Sequence, residues 1–270
     1  VKLNSQPSSD VTISLSTTDA SEGAVSPSSL TFTSSNWSTL QTVAVNGVDD
    51  DAVDGNQSYT VRIGAGSSSD SNYNGLNHDD VTVINLDNDV AGFTLNPSSG
   101  TTSENGGTTE FSLKLNSQPS ANVTIPVASS NTGEATVSAS SLTFTNSNWS
   151  TAQTITVTGV DDSISDGNAS FTVTLSAASS TDSNYNNLNP SDFTGSNTDD
   201  DSPGYTISGG TDNTTEIGGT SKFSLKLNSQ PTADVSVSLT STDTTEATVS
   251  PSSLTFTNSN WNTAQTVTVT

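Results

Sequence analysis

The sequence predicts an all-β protein, a tandem array of seven-stranded Greek-key sandwiches of immunoglobulin-like build that repeats with a period of 112. Three observations carry this expectation. Trp37, Trp149 and Trp261 are evenly spaced at that period, as are Pro7, Pro119 and Pro231, and Lys2, Lys114 and Lys226. Apolar residues alternate with Ser and Thr, the period of strands that bury one face. No stretch carries the periodicity of a helix. An interval kept over two steps means that no insertion or deletion separates the copies. A unit of this size is too long for a solenoid repeat and suits a self-contained domain. The expected divisions are 1–89, a copy lacking its first strand; 90–201, a complete copy; and 202–270, a copy lacking its last strands. The chain starts and stops inside a repeat, so it reads as a window on a longer protein.

The complete copy shows its elements in order. Phe93-Thr94-Leu95 alternates as a first short strand, and Ser103-Glu104-Asn105-Gly106-Gly107 follows as a turn. Phe111, Leu113 and Leu115 share one face of the next strand, with Lys114 pointing away, and Asn116-Ser117-Gln118-Pro119 closes it. Val123 to Val127 is a strand whose Pro126 suggests an edge position. Ala135-Thr136-Val137 and Leu142-Thr143-Phe144 are short pieces around a Ser-rich turn. Ile155 to Val160 is long, Phe171 to Leu175 is the last clear strand, and the stretch to Asp201 is loop with a weak final strand.

Composition narrows the function. Only 29% of residues are hydrophobic, a share that alone would suggest disorder, but the strict alternation overrules it. There are 28 Asp and Glu against five Lys and Arg, a net charge of −23. Such a chain offers phosphates no basic patch, which excludes nucleic acid and anionic membranes as partners. Clustered carboxylates suit hard divalent cations instead. With no Cys there are neither disulfides nor thiolate metal sites. No apolar run is long enough to span a bilayer, and no signal peptide is evident.

Several pieces together resemble the Calx-β domain family: Ser103-Glu104-Asn105-Gly106-Gly107, Ser141-Leu142-Thr143-Phe144, Val160-Asp161-Asp162-Ser163-Ile164, Phe171-Thr172-Val173-Thr174-Leu175-Ser176 and Thr198-Asp199-Asp200-Asp201. Their order and rough spacing match the family along the whole repeat. The resemblance implies a seven-stranded sandwich that holds Ca²⁺ in loops at one end. Its matching positions are Glu104 in the first turn, Asp162 and Asp166 after the long strand, and Asp199, Asp200 and Asp201 at the end. Asp161 adjoins this set. The first copy offers Asp50, Asp54, Asp87 and Asp89, with Asn88 in place of the middle acid, and the third offers Glu216. Two departures stand out. Gly133-Glu134 occupies roughly the place of a Gly-x-Asp-Tyr acid, and Glu134 is not counted as a ligand. Ala169 stands where the family commonly has a Glu, which implies fewer or weaker sites.

Ca²⁺ takes six to eight oxygens at roughly 2.3–2.6 Å, and an Asp pair on one loop with an Asp run on another supplies them if the fold brings the loops together. The bland alternative is that Asp at strand ends only makes turns. An EF-hand at Asp162 to Gly167 fails because Ile164 fills the third loop position, as Ala52 does in the first copy. The recurring Trp reads as a cap on the core rather than a sugar platform, and the recurring Lys as a solvated strand residue. Enzyme chemistry finds no footing: the single His78 is replaced by Pro190 in the next copy, and there is no Cys nucleophile, Gly-x-Ser-x-Gly or phosphate loop. The sequence thus leads to a secreted, cell-surface structural stalk of calcium-stabilised repeats within an adhesin-like protein. Its partners are neighbouring repeats and other copies in a fibre. A filament subunit that shares strands and a glycan-binding module stay open as alternatives.

Overall fold

A computed structural model describes residues 1–270, and every regular element in it is a strand. No helix is long and apolar enough to cross a membrane. The first copy contains β1 (Val11–Thr17), β2 (Gly23–Ser26), β3 (Ser29–Phe32), β4 (Ala44–Gly47), β5 (Gln57–Ile63) and β6 (Val81–Asn85). The middle copy contains β7 (Phe93–Asn96), β8 (Ser99–Ser103), β9 (Thr108–Leu115), β10 (Val123–Ser129), β11 (Ala135–Val137), β12 (Ser141–Phe144), β13 (Gln153–Gly159), β14 (Ala169–Leu175) and β15 (Phe193–Thr198). The third contains β16 (Tyr205–Gly209), β17 (Ser221–Leu227), β18 (Val235–Ser238), β19 (Val249–Ser250), β20 (Ser253–Phe256) and β21 (Gln265–Val269).

The middle copy is a sandwich of two sheets, in the orders β12-β10-β14-β15-β8 and β11-β13-β9-β7. Two runs of chain switch sheets: β7 continues as β8 on the opposite sheet, and β11 as β12. Counting each run once, the nine elements are the seven predicted strands. β8 pairs in parallel with β15, Ser99 opposite Thr194 through Ser103 opposite Thr198. Sequence periodicity misses β8 because Ser99 to Ser103 has no apolar residue, and only Thr102 is fully buried.

Pro126 does not mark an edge. β10 lies between β12 and β14. Its ladder with β14 runs from Val127 to Ser129, so Pro126 stands just before the first residue that pairs on that side. No N–H is required of it there.

The alternation sorts the side chains as expected. Phe111, Leu113, Ile125, Phe144, Ile155, Val157, Phe171, Val173, Leu175 and Phe193 meet between the sheets in a core cluster of 17 buried residues. Phe111 stacks on Phe193 with ring centroids 4.8 Å apart. Trp149 packs partly buried against this core, and its carbonyl accepts the N–H of Leu115 at 3.0 Å. Trp37 and Trp261 hold Leu3 and Leu227 in the same way, both at 2.9 Å.

Candidate metal centre

Four loops meet at one end of the middle sandwich because the strands that feed them are neighbours. The turn after β8 carries Glu104, whose N–H donates to Thr198 O at 3.0 Å at the end of β15. The turn before β11 carries Glu134, whose carbonyl accepts the N–H of Val160 at 2.9 Å just after β13. Gly159 lets these strands close up: a Cβ there would lie 2.2 Å from Ser103 O and 2.5 Å from Asn197 Oδ1. The acid loop beyond turns back through Gly167 at a φ of +83°, a left-handed conformation that glycine adopts without strain.

The result is three groups of carboxylates whose oxygens lie within 4.8 Å of one another: Glu134, Asp162 and Asp166; Glu104, Asp199 and Asp201; and Glu104, Asp161 and Asp200. Glu104 belongs to two of them. In the first copy Glu22, Asp50 and Asp54 form one such group. They line a cleft of about 230 Å³ together with Asp49, Asp87 and Asp89. That group and the first of the middle copy are the same three positions of the repeat, one period apart.

The structure therefore brings Asp161, Asp162, Asp166, Asp199, Asp200, Asp201 and Glu104 together, and Asp50 with Asp54. Asp87 and Asp89 line the first copy's cleft without joining its close triad. Glu216 stands exposed on the third copy. The sequence reading left out Glu22 and Glu134. The repeat itself held the signal, for Glu22, Glu134 and Glu246 recur at the same interval of 112.

The electrostatics are those of a crowded, partly dry cluster. Glu104 is 2% exposed. Burial is the main cause that pushes its carboxyl up to about 7, with the charges of Asp199, Asp162 and Glu134 adding and the N–H of Asp200 opposing. Burial likewise raises Asp201, helped by Asp199, Asp200, Asp161 and Asp162. Asp89 rises for the same reason in the first copy. Asp87 is lowered because its carboxylate accepts N–H groups from Asp89 at 2.8 Å and Gly55 at 2.7 Å. Asp201 Oδ2 is buried without a hydrogen-bond partner. A buried acceptor of that kind costs about 1–3 kcal/mol unless something meets it. Carboxylates only, crowded and with one oxygen orphaned, fit a hard divalent cation of the Ca²⁺ type.

A family profile described as the Calx-beta domain matches residues 1–89 and again 87–202. The chain belongs to the Calx-beta domain family. No curated protein matches it. Among solved structures it is similar to CBD12 from CALX1.2, at 17% identity and a TM-score of 0.32, covering 63% of this chain and 69% of that one. Similar too is the calcium binding domain CBD12 of CALX1.1, at 19% identity and a TM-score of 0.32, covering 65% and 69%. Domains 1–6 of the surface layer protein SbsC match at 12% identity and a TM-score of 0.28, covering 96% of this chain and 28% of that one. Within the Calx-beta repeat, the acid groups occupy the loops that follow β13 and β15 and the turns that precede β9 and β11.

Proposed function

We propose that this chain is part of an extracellular, cell-surface stalk whose Calx-beta copies are stabilised and stiffened by Ca²⁺. One observation carries the reading: the loop that presents the acids is also the loop that touches the next copy. Between Asp50 and Asp54, the carbonyl of Asp51 accepts the N–H of Gln118 at 2.7 Å, and the carbonyl of Val53 accepts Asn184 Nδ2 at 2.9 Å. Between Asp162 and Asp166, the carbonyl of Ser163 accepts the N–H of Gln230 at 2.6 Å. Asp199 to Asp201 then lead into β16 through only Ser202-Pro203-Gly204, with no flexible linker.

Glu134, Asp162 and Asp166 would hold one cation, and Glu104 with the Asp161 and Asp199 to Asp201 carboxylates would hold the others. Bound Ca²⁺ supplies positive charge that cancels the repulsion among these acids. The chain's own part is to keep the acid loop in one shape, and through it the joint. The reading is mechanical and assigns no catalysis. Small-angle scattering with Ca²⁺ and with EDTA tests it: a long particle, stiffer with Ca²⁺, is expected. A compact particle in Ca²⁺ overturns the stalk.

A further inference from the structure

The surface that receives the acid loop is itself a built site. The Ser117-Gln118-Pro119-Ser120 turn is held from inside. Ser117 donates its N–H to Tyr185 Oη at 3.1 Å, and Tyr185 Oη donates to Ser117 O at 2.8 Å. The N–H of Ser120 donates to Asp182 Oδ2 at 2.8 Å, while Asp182 Oδ1 accepts the N–H of Asn184 at 2.9 Å. Tyr185 and Ser117 are fully buried, and Asp182 is nearly so. The Gln118 side chain turns back to its own copy, Nε2 donating to Asn146 O at 2.9 Å, so Gln118 faces the joint with its main-chain N–H.

Two comparisons within the chain show what this turn reads. This turn and its counterpart at Gln230 meet loops that differ in side chains, Asp51-Ala52-Val53 against Ser163-Ile164-Ser165, yet the same carbonyl of the repeat is bonded in both. The first copy carries the same lock, with Tyr73 on Ser5 and Asp70 on Ser8. There Asn72 Nδ2 folds back onto Asp70 Oδ1 at 3.1 Å, whereas its counterpart Asn184 turns outward to Val53 O.

We propose that Gln118 N–H and Asn184 Nδ2 form a socket that recognises the main chain of the preceding copy's acid loop, with Tyr185 and Asp182 as its positioning residues. The partner is another copy of this repeat, and the contact gives the array a fixed order: acid loop into the next socket. Because both acceptors are carbonyls, loop side chains drift without loss of the joint. The socket includes none of the proposed cation ligands, so it goes beyond the calcium reading and is separable from it.

The chain has no Cys, so Thr31→Cys and Thr143→Cys, both at exposed positions, place two spin labels across the first joint. Distances between them are measured in EDTA and in Ca²⁺. The parent is expected to show one narrow distribution. Asn184→Ala widens it in EDTA, and Gln118→Pro, which removes the N–H, widens it further. Tyr185→Phe widens it while leaving the Ca²⁺-induced melting shift in place. The loop exchange Ala52→Ile with Val53→Ser leaves it narrow. If Gln118→Pro or Tyr185→Phe fails to fold, Asn184→Ala decides alone. A distribution unchanged by Asn184→Ala, or one broadened by the loop exchange, overturns the socket. A parent that responds to EDTA and Ca²⁺ identically counts against the calcium reading and leaves the socket comparison intact.

Discussion

Asn197, fully buried at the end of β15, donates through Nδ2 to Glu134 Oε2 at 3.3 Å and to the carbonyl of Val160 at 3.0 Å. Thr102 Oγ1 donates to its Oδ1 at 2.8 Å. In the preceding copy Asn85 reaches Glu22 Oε2 at 3.2 Å and Val48 O at 2.9 Å. A neutral amide thus aims the glutamate at the acid loop without cancelling its charge, which stays available to a cation. Partners of this kind orient metal ligands, and their loss lowers affinity about 10–100-fold. Asn197→Ala should weaken Ca²⁺ binding in the middle copy by roughly that factor in titration calorimetry. An unchanged affinity would show that the contact is structural only.

Melting of the whole chain should respond to Ca²⁺. Free ligand at about 100 times its dissociation constant adds about 2.7 kcal/mol per site. For a chain of this size each kcal/mol moves the midpoint by roughly 2–4 °C. Millimolar Ca²⁺ is expected to raise the midpoint by several degrees over EDTA, and coincident curves would refute the calcium assignment.

Glu104→Gln separates the cost of this site from its use. The amide keeps an oxygen to accept the N–H of Asp200, which donates to Glu104 Oε2 at 3.4 Å. It also removes a buried charge next to other carboxylates. Thermal melts near neutral pH should show the variant at least as stable as the parent in EDTA but with a smaller response to Ca²⁺. A variant that is less stable in EDTA while keeping the full response contradicts this.

The pH dependence has a definite sign in the metal-free protein. Glu104 goes from an ordinary value of 4.5 to about 7 in the fold, so the folded state binds its proton more tightly than the unfolded chain does. The stability that this group contributes is present below about pH 4.5 and is lost as pH rises through about 7. Asp201 and Asp89 shift in the same direction, and Asp19, Asp70, Asp87 and Asp243 shift the opposite way. The lowered groups act at more acid pH, so Glu104 governs the range above about pH 5. The midpoint in EDTA should fall between about pH 5 and about pH 8, and the Ca²⁺-induced rise should grow over the same range. A midpoint in EDTA that climbs with pH would show that the cluster is solvated rather than crowded.

Phe193 is fully buried and stacked on Phe111. Emptying a buried Phe site costs about 3–5 kcal/mol. Phe193→Ala should therefore destabilise the middle copy by about that much in urea unfolding. A cost well under about 1 kcal/mol would contradict the close packing of this site.

Sequence by itself determined most of the strands and the face each one buries, while β8, without an apolar residue, escaped it. Val11 opposite Phe32, Val123 opposite Phe144 and Val235 opposite Phe256 are one register written three times, once in each copy. That much is local, because alternation assigns each side chain to a face and a one-residue slip would turn the apolar set to water. Only the tertiary structure decided which acids converge. Glu134 meets Asp162 and Asp166, and Glu104 meets Asp199 to Asp201, from opposite ends of the repeat's sequence. Strand neighbours in the two sheets set those distances, and no local pattern records them. Glu104 is buried and shifted because the ends of β13 and β15 close on its turn and bring their acids with them, and burial penalises the charged form of a carboxyl.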